Sequence, residues 1–180
     1  MPHKILVVTG SPRKKGNTDL LAAAFIEGAE SAGNEVYRFD AGRAHIHGCL
    51  DCKFCFSNGG QCRQNDDMQQ AYPHLHECDV LVLASPIYWF TFSTQIKAFI
   101  DRMFCSVGKP FAVKSAVLLT VQEDKDPTIA DNAANTYKTM TDFVKWENLG
   151  IISVPDVNNI GDIAGNPKLD EARALGASIK

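Results

Sequence analysis

Apolar residues in this chain alternate between short unbroken runs and longer stretches where they recur every three or four positions. Ile5–Thr9 is an unbroken run, as expected of a strand covered on both faces. From Asn17 to Ala32, residues Leu20, Leu21, Ala24, Phe25 and Gly28 fall along one helical face. Glu35–Asp40 reads as a second strand and Val80–Ala84 as a third, buried one. Phe92–Val107 predicts a helix, with Ile96, Phe99, Ile100 and Met103 at i, i+3, i+4 and i+7. Ala112–Val121 is a fourth strand. Thr128–Trp146 is helical through Ile129, Ala133, Tyr137, Met140 and Val144. Leu149–Val154 is a fifth strand, and Asn166-Pro167 starts a closing helix over Pro167–Ile179. No period holds from Ala41 to Asn65. Asp66–His76 reads as a short helix interrupted or restarted at Pro73.

Strands that alternate with helices predict an α/β fold, a parallel sheet with helices on both faces. Right-handed crossovers leave the doubly wound sheet as the commonest solution. A length of 180 residues predicts one domain over 1–180, large enough to bury a core without disulfides. The stretch 41–65 is a loop insertion that holds four of the six cysteines. Eighteen basic against twenty-one acidic residues give a formal charge of -3. That balance offers no electrostatic reason to expect nucleic acid or an acidic membrane. No apolar run approaches the roughly 18 residues of a membrane helix. The N-terminus passes straight from Lys4 into Ile5–Val8, too short a run for a signal segment. The expected compartment is the cytoplasm, where the cysteines would be reduced thiols or metal ligands.

The first strand ends in Thr9-Gly10-Ser11-Pro12-Arg13-Lys14-Lys15-Gly16-Asn17-Thr18, where the first helix begins. Ligands of open parallel sheets bind outside the carboxyl ends of strands, and a helix N-terminus offers free N–H groups to an anion. Ser11, Asn17 and Thr18 add neutral donors, and Arg13 adds a planar fork suited to phosphate. The dinucleotide fingerprint fails because Pro12 stands where its second glycine belongs. The P-loop fails because five residues separate Gly10 from Gly16 and Asn17 follows. A plain turn with Asn17 as helix cap is the competing reading. Asp40, at the end of the second strand, reads as a turn-starting Asp once the fingerprint is gone.

A second motif, Ala84-Ser85-Pro86-Ile87-Tyr88-Trp89-Phe90, follows the third strand. Together, "GSPRKKGNT" and "SPIYW…KAFIDR" resemble the NADPH-dependent FMN reductases of the flavodoxin-like superfamily, especially their iron–sulfur flavoprotein branch. The resemblance extends through Cys49-x-x-Cys52-x-x-Cys55…Cys62…Asp66-Asp67-Met68 and Gly161-Asp162-Ile163…Asn166-Pro167. It implies a flavodoxin-like three-layer sandwich, a five-stranded parallel sheet of order 2-1-3-4-5, and non-covalent FMN. By position, Ser11, Arg13, Asn17 and Thr18 would hold the FMN phosphate. Pro86, Ile87, Tyr88, Trp89 and Phe90 would lie against the ribityl chain and ring. Phe90 and Phe92 are bulkier than the small residues of that family loop. Val121–Asp126 lacks the glycines many relatives carry after the fourth strand.

Cys49, Cys52, Cys55 and Cys62 have the spacing C-x₂-C-x₂-C-x₆-C, compact enough to wrap one cubane. Zinc sites more often use two C-x₂-C knuckles on a longer arm. Three readings stand side by side: a [4Fe–4S] centre, zinc, or a cysteine-lined loop without metal. With or without metal, the loop would cover the flavin cleft. His45, His47, His74 and His76 read as exposed loop histidines, and Cys78 and Cys105 as buried small apolar residues.

The resulting expectation is an FMN-dependent oxidoreductase that passes reducing equivalents from NAD(P)H to a quinone, free flavin or other small acceptor. No catalytic side chain is required, because the cofactor carries the chemistry. The alternatives are a flavodoxin-type electron carrier, relaying through a cluster, and a metal-stabilised binding module. Trp89-Phe90-Thr91-Phe92 predicts an apolar surface and hence a homodimer or tetramer.

Overall fold

The computed structural model describes residues 2–180. In chain order its elements are β1 (Lys4–Thr9), α1 (Asn17–Ser31), β2 (Glu35–Phe39), α2 (Phe54–Ser57), α3 (Met68–Glu77), β3 (Val80–Tyr88), β4 (Thr91–Phe92), α4 (Thr94–Arg102), β5 (Ser115–Val121), α5 (Asp131–Val144), β6 (Glu147–Val154) and α6 (Lys168–Ala177). Five parallel strands lie in the order β2-β1-β3-β5-β6, which is the expected 2-1-3-4-5 arrangement. Consecutive residues of each inner strand feed opposite cores. Leu6, Val8, Leu81 and Leu83 pack under α3, α4 and α5. Ile5, Val7, Val80 and Val82 pack with Leu21 and Phe25 of α1 and Ala172 of α6. Burial on both faces is why these strands read as unbroken apolar runs.

The sheet has six strands, not five. β3 runs on past Ala84, pairing with β5 as far as Pro86↔Val121 and then with β4, antiparallel, through Tyr88↔Thr91. Phe92 therefore belongs to a strand and not to the following helix. Ser93 stops the strand and starts α4, its Oγ accepting from the Ile96 N–H at 3.5 Å. The expected helix over 92–107 is also split, since Met103–Val107 tightens into a 3₁₀ segment. α3 runs through Pro73 without a break. β6 begins at Glu147, two residues before the expected Leu149, and a register shift at Ala116/Val117 accommodates it.

Candidate functional site

At the carboxyl end of β1 the loop is packed so closely that a glycine is required within it, Gly10, and another, Gly42, in the segment after β2 that lies against it. A Cβ on Gly10 would sit 2.6 Å from Ile96 Cβ, and one on Gly42 would sit 2.2 Å from the Ser11 carbonyl oxygen. The close approach lets neighbouring elements grip the loop. Gly10 N–H donates to the Ala84 carbonyl at 2.8 Å, and Gly42 N–H to the Thr9 carbonyl at 2.8 Å. The Ser93 hydroxyl donates to the Gly10 carbonyl at 2.8 Å, while Ser85 Oγ accepts from Ser93 N–H. The two sequence motifs are thus hydrogen-bonded to each other through Ser85 and Ser93.

α1 opens without a side-chain cap, because Gly16 holds the capping position. The first helix-closing bond runs from Leu20 N–H to the Gly16 carbonyl at 3.0 Å. The N–H groups of Asn17, Thr18 and Asp19 precede it, at the positive end of the helix dipole. Asn17 does not cap the helix, so the competing reading of a plain capped turn fails. Its Nδ2 donates to the Asn159 carbonyl at 2.9 Å, and its Oδ1 accepts from Gly161 and Ile163 N–H. That amide clips the segment 158–163 over the loop. Arg13 reaches the same segment, Nη1 donating to the Asn158 carbonyl at 2.8 Å. Ser11 Oγ accepts from Arg13 N–H at 3.2 Å and keeps its proton to donate. Thr18 is buried in the cleft wall.

Behind the loop is a four-residue charge network. Arg38 bridges Asp19 and Asp40 at 2.8 Å each, Arg43 pairs with both, and Thr9 Oγ1 donates to Asp40 at 2.7 Å. Partial burial opposes ionisation of Asp40. The Thr9 hydroxyl and the two guanidiniums outweigh it and hold the carboxyl below the usual range. Asp40 starts a turn, as expected, since its carbonyl accepts from Arg43 and Ala44 N–H. Its side chain also braces the end of β1 through Thr9, where the first loop begins.

One cleft brings together Ser11, Arg13, Asn17 and Thr18 with Pro86, Ile87 and Tyr88. Sequence reasoning missed its remaining wall, Val121–Glu123 and Val157-Asn158. Gln122 is 3% exposed, its Nε2 donates to the carbonyls of Asp124 and Asp126, and its Oε1 is buried without a partner. An open acceptor in a cleft wall suits a ligand N–H or O–H. Trp89 and Phe90 do not line this cleft. They form the two-residue tip of the β3–β4 hairpin, with φ of +47° and +69°, and are 90% and 50% exposed. A two-residue turn that matches strand twist needs positive φ at both positions and favours Asn-Gly. Two aromatics there are strained.

The cysteine loop is built elsewhere. Asp66 and Asp67, at the start of α3, accept from the N–H groups of His47 and His45 at 3.0 and 2.7 Å. Asp66 also holds Arg102 by two bonds, at 2.6 and 3.2 Å, with both side chains 1% exposed. Burial opposes its ionisation, but the Arg102 and His47 hydrogen bonds and the Arg102 charge hold the carboxyl below the usual range. Above this pair, Cys49, Cys52, Cys55 and Cys62 line one pocket, joined by Arg102 and Cys105. Burial raises the Cys55 thiol, and the other three loop cysteines add to the effect. Cys105, pushed by burial to about 11, is buried as expected but opens onto the pocket. Cys78, pushed to about 12, lies outside it. His45 and His47 are exposed as expected, with their Nε2 atoms 3.0 Å apart. Among the described residues, no three His, Cys, Asp or Glu side chains are gathered around a single-ion site. A cubane places each thiolate on a different iron, so its ligands stand further apart than those of one ion. Four thiols lining one pocket, beside a buried Arg102 Nε–H that has no partner, suit such a group. No residue of 41–65 lines the cleft that holds Ser11 and Arg13; Arg102 donates to the His47 carbonyl and ties the loop to the C-terminal end of α4.

A model of the NADPH-dependent FMN reductase family matches residues 3–144. An iron-sulfur flavoprotein of Methanosarcina thermophila is 29% identical over 91% of this chain and 83% of its own length. Another, from Archaeoglobus fulgidus, is 37% identical over 56% of this chain. That match spans under half, 45%, of the Archaeoglobus protein. The fold is shared with an NAD(P)H:quinone oxidoreductase from Methanothermobacter marburgensis, at a TM-score of 0.81 and 17% identity, over 100% of this chain and 97% of that one. No helix among the described residues is long and apolar enough to cross a membrane.

Proposed function

The chain belongs to the NADPH-dependent FMN reductase family, and from that premise we propose that it transfers reducing equivalents from NAD(P)H to a small acceptor. A quinone, a free flavin or a comparable electrophile fits that role. The observation that carries the reading is the single cleft shared by the first loop and the Pro86–Tyr88 segment. FMN, when bound, supplies the redox chemistry. The chain's own groups bind and orient it. The Ser11 and Thr18 hydroxyls, the first-turn N–H groups of α1 and the Arg13 guanidinium hold the phosphate. Asn17 holds segment 158–163 against the loop and assists through its backbone. Pro86, Ile87 and Tyr88 flank the ribityl chain and ring, and Gln122 Oε1 accepts a hydrogen bond from the cofactor.

Trp89 and Phe90 stand at the rim and meet the acceptor or a second copy of the chain. Their exposure supports a homodimer or a tetramer. We place the protein in the cytoplasm, where its six unpaired cysteines stay reduced. Cys49, Cys52, Cys55 and Cys62 would hold a [4Fe–4S] centre; their shared pocket supports that assignment. A flavodoxin-type carrier is not favoured, since the matching family is a reductase family.

The test is anaerobic rapid mixing of FMN-loaded protein with NADPH, then NADH, then a quinone. The visible flavin band should bleach with a pyridine nucleotide and return with the quinone. A band that persists with both nucleotides contradicts the proposal.

A further inference from the structure

Arg102 has a hydrogen bond left unmade. Its side chain is 1% exposed. Nη1 donates to Asp66 Oδ2 at 2.6 Å and to the His47 carbonyl at 3.0 Å, and Nη2 donates to Asp66 Oδ1 at 3.2 Å. Nε–H is buried and has no partner. A buried donor of a charged group is rarely left open, because nothing replaces the water it has lost. The residue that carries it lines the same pocket as the four loop cysteines. The other cations lining that pocket differ in kind. Lys53 is half exposed and paired with Asp51, and Arg63 is exposed. Of these cations, Arg102 alone is buried and held by a two-bond pairing with a carboxylate.

We propose that Arg102 Nε–H donates to a thiolate or sulfide of the cluster in this pocket and favours its reduced state. The inference rests on reading Cys49, Cys52, Cys55 and Cys62 as cluster ligands. Reduction adds negative charge to the sulfurs, so a donor aimed at them stabilises the reduced form more than the oxidised one. Cluster potentials respond to hydrogen bonds at sulfur, to net charge and to exposure. The Asp66 carboxylate offsets the guanidinium charge at a distance. It cannot cancel the directional N–H bond, and it fixes the fork from which that bond is made. A role confined to holding the loop in place would leave the cluster potential unchanged.

Anaerobic protein reconstituted with iron and sulfide tests this in a potentiometric titration followed by electron paramagnetic resonance. Arg102→Lys keeps a cation for Asp66 but carries no Nε–H. Its iron content should match wild type, while its reduced form should lose about tenfold in relative stability, a midpoint lower by about 59 mV for one electron. Cys105→Ala, which removes a pocket thiol without touching the donor, should leave the midpoint in place. A second readout avoids the buried substitution altogether. With isotope-labelled arginine in an Arg63→Lys background, pulsed resonance should detect arginine nitrogen coupled to the reduced cluster. An unchanged midpoint in folded, iron-loaded Arg102→Lys, or no arginine coupling, overturns the role of Arg102 and leaves the cluster reading intact. Wild-type protein that retains no iron after reconstitution overturns both.

Discussion

The first loop and the cysteine loop, the two candidate ligand sites, are held in different ways. The first loop is fixed to separate elements: Gly10 to β3 and Ser93, and Asn17 to segment 158–163, while Thr9 just before it accepts from Gly42 after β2. The cysteine loop is tied near its ends, where Asp66 and Asp67 hold His47 and His45. Between those ties Asp51 and Lys53 take φ of +48° and +58°, curling the chain between successive cysteines. Two of the four thiols are exposed. The first loop is therefore ordered in advance, so that binding there would cost little further conformational entropy. The cysteine loop has its four thiols on one pocket but not closed, as expected where ligand binding and local folding are coupled.

The largest effect should come from cutting the tie beneath the cysteine loop. Asp66→Ala strands the Arg102 charge at 1% exposure and should destabilise the fold by about 3–5 kcal/mol in a urea titration. A loss below about 1 kcal/mol would mean that the pair holds only the loop. Acid should act in the same direction. The folded Asp66 carboxyl lies below its unfolded value near 3.9. Its contribution is complete above that unfolded value and is lost as pH falls through the lower folded one. Asp66→Ala should flatten this acid limb, and an unchanged limb would show that other carboxylates, Asp40 first among them, produce it.

A smaller effect should follow from crowding the other loop. The Cβ of Gly42→Ala would meet the Ser11 carbonyl at 2.2 Å, a backbone clash that should cost about 1–3 kcal/mol. Ser11 belongs to the first loop, so FMN affinity should fall, while thiol accessibility of Cys49 and Cys52 to an alkylating reagent should stay the same, because the His45–Asp67 and His47–Asp66 ties stand between Gly42 and those thiols. A change in thiol accessibility would show that the strain passes those ties. The smallest effect should be a gain. Phe90→Gly relieves a left-handed aromatic at φ +69° and should raise stability by about 1 kcal/mol. A loss would show that the Phe90 ring packs on something beyond its own hairpin.

The parts legible in the sequence follow the same division. Strands covered on both faces announce themselves as unbroken runs at Ile5–Thr9 and Val80–Ala84; the edge strands β2 and β6, half-exposed, were readable as short apolar segments between helices. The sixth was not. β4 has two residues, and its turn is Trp-Phe where hairpins favour Asn-Gly. Ser11, Arg13 and Thr18 could be read from their place before a helix. The amide of Asn17 could not, because its partners lie 142 to 146 residues away. The Asp66–Arg102 pair spans 36 residues. Its only trace in the sequence was that both residues fall within motifs of the family resemblance. Gln122 was hidden for another reason: the family resemblance led one to expect glycines after the fourth strand, so its position read only as a departure from pattern, and only the fold showed a buried acceptor without a partner on a cleft-lining residue.

The central claim is that the first loop holds the phosphate of FMN, and comparing FMN with riboflavin tests it most directly. Flavin-free protein should be titrated with each by fluorescence quenching, in wild type and in Arg13→Ala. Wild type should prefer FMN, and Arg13→Ala should lose about 1.5–3 kcal/mol of FMN affinity, tenfold or more, with riboflavin affinity little changed. Equal affinity of wild type for FMN and riboflavin, or an Arg13→Ala variant that binds FMN as tightly as wild type does, would contradict the account.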